Sequence, residues 1–158
     1  MKTLILGLGN PILSDDAIGL HVARALESKL DPAEVTIIES SAASLDLLEI
    51  LNGYEKAIII DAIQTEGGKV GQIYHLNPGA FSNTLHAATP HDVNFATALE
   101  LGNRLGWDLP QITVLAIEVA DVISFCEGCT PEVVKAIPEC VTMVLQELNG
   151  EYLSLIHI

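Results

Sequence analysis

Apolar and polar positions fall into blocks of two kinds along this chain. Residues 3–8, TLILGL, form a continuous apolar run closed by Gly9, which predicts a buried strand. Residues 16–30 place Ile18, Val22, Ala25, Leu26 and Leu30 at helical spacing, with Ser14 or Asp15 available as the N-cap and Asp31-Pro32 as the stop. VTIIE (35–39) predicts a second strand and SLDLLEILNG (44–53) a second helix, closed by Asn52-Gly53. AIIID (57–61) is a third strand, apolar along its length as a strand covered on both faces should be. GGKVGQIYHLN (67–77) reads differently: a glycine-rich turn leads into a short edge or antiparallel strand. Residues 78–89 show little periodicity and read as a loop. Thr89-Pro90 predicts a third helix running to about Gly106, because threonine caps and proline suits the first helical position. QITVLAIE (111–118) is the last strand, and a final helix starts near Thr130-Pro131 and runs to about Leu148.

Strand, helix, strand, helix, strand, then strand and helix again predicts an α/β fold, a three-layer α/β/α sandwich. Its central sheet is mostly parallel, mixed by the edge strand, and has about five strands. Residues 1–150 are expected to form a single domain, and the apolar EYLSLIHI tail (151–158) receives no role. In such sheets, sites form at the carboxyl ends of the strands. Three polar clusters stand there: Asn10 to Asp16 after the first strand, Asp61 closing the third, and Glu118 closing the last.

Composition narrows the function. Hydrophobic residues make up 49% and charged residues 18%, the balance of a globular chain. No apolar run is long enough to cross a bilayer. Met1-Lys2-Thr3 leads straight into a strand, so no signal peptide is expected and the expected compartment is the cytoplasm. Net charge is −14, with 7 Lys and Arg against 21 Asp and Glu, which opposes nucleic-acid binding and favours a basic partner or a metal cation. Three cysteines, an odd number, are no disulfide framework.

The stretch GLGNPILSDDAIG (7–19) carries the chemistry. A glycine turn after a strand suits an anion, yet this one leads into Asp15 and Asp16. A single acid there would complement the helix dipole, worth about 0.3–1 kcal/mol, and two exceed that need. Asp61 follows four apolar residues, where a carboxylate is costly to desolvate unless paired, hydrogen-bonded or metal-bound. His91 falls two residues after the capping Thr89, and a helix N-terminus favours its neutral, metal-binding form. Asp16, Asp61 and His91 together make a hard-to-borderline set suited to nickel, zinc or another divalent ion. Asn10 and Gly9 are expected to shape the turn presenting Asp16, and Glu118 to line the cleft.

GLGNPILSDDAIGLHVARAL resembles the opening of the hydrogenase maturation endopeptidases, through Gly7, Gly9, Asn10, Asp15, Asp16 and Gly19. IIIDAI with Asp61-Ala62, TPHDVNFATAL with His91, and Ile117-Glu118 match later signatures of that family, so the resemblance extends to about residue 148. It implies that Asp16, Asp61 and His91 bind metal, and that the ion is nickel already installed in the precursor of a nickel-iron hydrogenase large subunit. Other divalent cations are expected to be able to occupy the site. It also implies one cut, releasing a C-terminal peptide from that precursor. Two positions depart from the pattern: Glu39-Ser40-Ser41-Ala42-Ala43 stands where the family commonly has Asp-Gly-Gly-Thr, and Val119 where proline often follows Ile-Glu.

Three rivals compete. Peptidyl-tRNA hydrolase shares Gly-Leu-Gly-Asn-Pro, but His21 lacks the Arg and Asn neighbours and reads as a helix-surface residue. A dinucleotide fingerprint needs a third glycine where Ile12 stands, although Glu39 could serve as the ribose-binding acid. A nickel-sensing docking factor would use the same three ligands without cutting. Cys126-Glu127-Gly128-Cys129 reads as a loop with two reduced thiols, and Cys140 as core.

Overall fold

The computed structural model describes residues 2–42, 44–82, 95–120, 125 and 128–149. Five strands form one sheet: β1 (Thr3–Leu8), β2 (Val35–Ser40), β3 (Lys56–Ile63), β4 (Ile73–Leu76) and β5 (Gln111–Glu118). Their order is β2-β1-β3-β5-β4, with every pair parallel except β4 against β5. The expected mixed, mostly parallel sheet is therefore present, with β4 as its antiparallel edge.

Helices cover both faces. On one side α1 (Ile18–Glu27) and α5 (Pro131–Asn149) bury Val22, Leu26, Val133, Cys140 and Val144 against Ile5, Ile58, Ile60 and Ile117. On the other, α2 (Ser44–Leu51), α3 (Pro78–Ser82) and α4 (Phe95–Arg104) contribute Leu47, Leu51, Phe81 and Phe95 over Leu4, Leu6, Ile59 and Val114. The alternation of strand side chains between faces explains why apolar runs, rather than apolar-polar alternation, mark these strands. Burial pushes the Cys140 thiol up to about 12, with Glu139 adding to the shift, so it behaves as a core residue.

Two expectations are corrected. Residues 78–82 are helical: Asn77 Oδ1 accepts the Ala80 N–H at 2.7 Å, and the Asn77 carbonyl accepts that of Phe81 at 3.0 Å. A turn this short has no periodicity to read. The helix expected from residue 16 divides into a 3-10 turn, Ser14–Ala17, and α1 proper, and neither start carries a side-chain cap. The helix expected from Thr89-Pro90 is seen as α4 from Phe95, its earlier residues lying outside those described.

Glycines set how closely α1 lies on the sheet. A Cβ at Gly19 would collide with the backbone of Leu8 and Ile60, and one at Gly7 with the Gly19 carbonyl and Ala23. Backbone therefore packs on backbone, which brings the turn before α1 down onto the ends of β1 and β3.

Candidate active site at the carboxyl edge of the sheet

The loop after β1 is a tight structure. Asn10 Oδ1 accepts the Ile12 N–H at 3.2 Å, the Asn10 carbonyl accepts that of Leu13 at 3.2 Å, and the Leu13 carbonyl accepts that of Asp16 at 2.9 Å. The Asn10 N–H in turn donates to Asp16 Oδ2 at 2.9 Å. A Cβ at Gly9 would strike the Asp16 carbonyl. Asn10 and Gly9 thus shape the turn that carries Asp16, as the sequence suggests.

The adjacent aspartates have separate jobs. Asp15 is fully buried and accepts the Ala120 N–H at 3.1 Å, the Thr130 N–H at 2.6 Å and the Thr130 hydroxyl at 2.9 Å. It stitches the loop after β1 to the end of β5 and the start of α5, and caps neither helix. Ser14 beside it has φ 37°, the left-handed region that a serine enters only under constraint. Its hydroxyl donates to the Gly128 carbonyl at 3.2 Å, and its own carbonyl accepts the Cys129 thiol at 3.7 Å.

Asp16 is 7% exposed and faces Asp61 closely enough that its charge raises the Asp61 pKa. Burial is the larger cause, and together they lift that carboxyl well above the ordinary range, against the Ala62 N–H donating to Asp61 Oδ1 at 2.8 Å. Asp61 is not the last residue of its strand, since β3 continues to Ile63. It shares strand parity with Ala57, Ile59 and Ile63, which places it on the face covered by α2, α3 and α4.

The described residues contain no group of three His, Cys, Asp or Glu able to hold a metal ion. His91, the third predicted ligand, lies outside the described residues, as does Cys126. The structure therefore brings together two of the three predicted site residues. Two carboxylates in a poorly hydrated place suit a cation with oxygen-tolerant chemistry, because a positive ion relieves both the burial cost and the mutual repulsion.

Glu118 departs from expectation. It is 3% exposed and does not line an open cleft: its carboxylate accepts the Thr65 N–H at 2.8 Å, the Thr65 hydroxyl and the Tyr74 hydroxyl at 3.2 Å. The sequence offered one signal for this, an acid closing the apolar run VLAI. Glu39 pairs with Arg24 at 2.9 Å, and His75 with Glu147 of α5 at 3.3 Å. A shallow cavity of about 450 Å³ lies beside the site loop, lined by Pro11, Ile12, Ala17, Leu20, His21 and Arg24.

Paired acids therefore stand where the parallel strands of an open α/β sheet end, the place where such folds build their sites. The chain belongs to the hydrogenase maturation protease family: the family model HycI, hydrogenase maturation protease, matches residues 20–147, a span that includes Asp61 and His91 and begins after Asp16. It is 29% identical to the hydrogenase 2 maturation protease of Escherichia coli (strain K12), over 94% of this chain and 92% of that protein. It is 22% identical to the hydrogenase expression/formation protein HupD of Rhizobium leguminosarum bv. viciae, over 94% and 75%. Among solved structures, the hydrogenase maturating endopeptidase HybD from E. coli superposes with a TM-score of 0.80 at 26% identity, covering 96% of this chain and 94% of that one. The NiFe hydrogenase maturation protease HybD from Thermococcus kodakarensis gives 0.66 at 25% identity, over 92% and 98%. The protein is an endopeptidase that processes hydrogenase precursors. This sets aside the tRNA-hydrolase, dinucleotide-binding and non-cutting readings. No described helix is long and apolar enough to cross a membrane.

Proposed function

We propose that Asp16, Asp61 and His91 together bind nickel carried by the precursor of a hydrogenase large subunit, and that the enzyme then removes a C-terminal peptide from that precursor in the cytoplasm. The observation supporting this reading is the approach of buried Asp16 to half-buried Asp61, whose repulsion a cation would relieve. The neutral imidazole expected of His91 would complete a set of two oxygens and one nitrogen. The ion belongs to the substrate, so it reports whether metal insertion is finished and fixes the scissile peptide relative to the two acids.

Hydrolysis adds one water across the peptide bond. The water oxygen bonds to the carbonyl carbon, the C–N bond breaks, and the leaving amine takes a proton. A carboxylate of the pair can accept the proton from water as general base and hand one to the amine. Desolvation keeps such a group basic enough for the task.

Asp16→Ala and His91→Ala are each expected to lower precursor cleavage by about 100-fold or more, with circular dichroism unchanged. Mass spectrometry of the precursor C-terminus gives the readout. Normal processing by the His91 variant would remove that residue from the ligand set.

A further inference from the structure

The last three residues of β3 are held differently from the rest. From Lys56 to Ile60 the strand is paired on both sides, to β1 and to β5. From Asp61 to Ile63 its ladder partner is β5 alone, through Asp61 with Ala116, Ala62 with Ile117, and Ile63 with Glu118. Asp61 therefore sits where the sheet has lost one of its two restraints, next to the loop bearing Asp16. The Ala62 N–H holds Asp61 Oδ1 at 2.8 Å, and the strand end beneath that carboxylate takes its position from β5 and from the segment that follows it.

Glu118 provides the connections. It lies one side-chain step along β5 from Ala116, on the same face as Asp61. Its side chain takes both donors of Thr65, four residues beyond Asp61. Its backbone holds the far end of the same loop: the Gly71 N–H donates to its carbonyl at 2.8 Å, and its own N–H donates to the Gln72 carbonyl at 2.8 Å. The packing is close enough that a Cβ on Gly68 would overlap both the Glu118 carboxylate and the Thr65 hydroxyl. Residues 65–72 are thus folded around one buried acid.

We infer that Glu118 is a positioning residue for cleavage, fixing the end of β3 through Thr65 so that Asp61 points steadily toward Asp16. This rests on the reading of Asp61 as a site residue. The Tyr74 hydroxyl bonds the same carboxylate from β4, on the side away from β3, and offers an internal control.

The test compares steady-state cleavage of a nickel-loaded large-subunit precursor by Glu118→Ala, Glu118→Gln, Thr65→Val and Tyr74→Phe, with rates normalised to folded enzyme. Misdirecting a reacting group by a fraction of an ångström to an ångström costs about 10- to 100-fold in rate. Glu118→Ala should lower kcat by about that factor while KM stays within about twofold. Glu118→Gln should recover most of the rate, because its amide oxygen can still accept the Thr65 N–H while its NH2 donates to the Thr65 hydroxyl, which accepts as well as donates. Thr65→Val, which keeps the shape and removes the hydroxyl half of the link while the backbone N–H stays, should lower kcat by about 3- to 10-fold, and decides the matter should Glu118→Ala not fold. Tyr74→Phe should leave kcat unchanged. Wild-type kcat in folded Glu118→Ala, or in Thr65→Val where that variant alone folds, overturns the inference, as does an equal loss in Tyr74→Phe. Asp61→Ala runs alongside: normal cleavage by that variant rejects the site itself, whereas its inactivity beside a fully active Glu118→Ala rejects only the positioning role.

Discussion

Asp61→Asn is expected to abolish precursor cleavage and to make the protein more stable at neutral and alkaline pH. Burial and the charge of Asp16 both raise the carboxyl's pKa in the folded state. The sign follows from linkage. A carboxyl with a raised folded pKa favours folding while it is protonated, below its unfolded value of about 3.9, and that contribution is lost as pH climbs through the folded pKa. Asparagine keeps the shape and stays neutral throughout. The variant and the wild type should therefore have similar thermal midpoints near pH 4, and the variant should gain as pH rises to 8. Thermal melts at the two pH values give the comparison. A variant less stable than wild type at pH 8 would mean that the ionised Asp61 is well compensated by its surroundings. Loss of activity with gain of stability is the pattern of a site held under electrostatic tension for its substrate.

Asp15→Ala should do the opposite to its neighbour's variant. Asp15 accepts two N–H groups and a hydroxyl in a fully buried place, and truncation leaves those donors with no acceptor there. Each stranded buried donor costs about 1–3 kcal/mol, so the expected loss is about 3 kcal/mol or more, a large share of a domain's stability. The same change releases the restraint on Ser14, whose left-handed backbone is held between contacts to Gly128 and Cys129. Urea unfolding of Asp15→Ala and Asp16→Ala side by side tests this division. Equal midpoints for the two variants would show that Asp15 is no brace.

Much of the fold is legible in the sequence because burial on both faces leaves its mark on composition. The runs at 3–8, 57–61 and 111–118 are strands because helices cover both sides, and Asn52-Gly53 marks where α2 stops. Elements governed by one or two polar contacts are harder to read. The turn at Pro78–Ser82 depends on the side chain of Asn77, and β3 passes beyond Asp61 because Ala62 and Ile63 still pair with β5 although a charge interrupts the apolar run. The candidate site divides in the same way. Asp16 and Asp61 can be found by their cost, since a charge at the end of an apolar strand or doubled at a turn calls for a reason. Asp15 and Glu118 take part in contacts set by tertiary structure. The partners of Asp15 stand 105 and 115 residues away, and no local pattern carries that information.

The charge balance bears on how substrate is met. A chain at −14 that sets two of its acids together at the carboxyl edge of the sheet repels other acidic chains and attracts cations. An empty nickel site in a precursor would offer these acids nothing to neutralise them, whereas a filled one would.

The most direct measurement is incubation of the enzyme with one large-subunit precursor in two forms, nickel-loaded and nickel-free, followed by mass spectrometry of the C-terminus. Shortening of the loaded form alone is the predicted result. Equal shortening of both would contradict the claim that the two aspartates and the histidine read the metal before the peptide is cut.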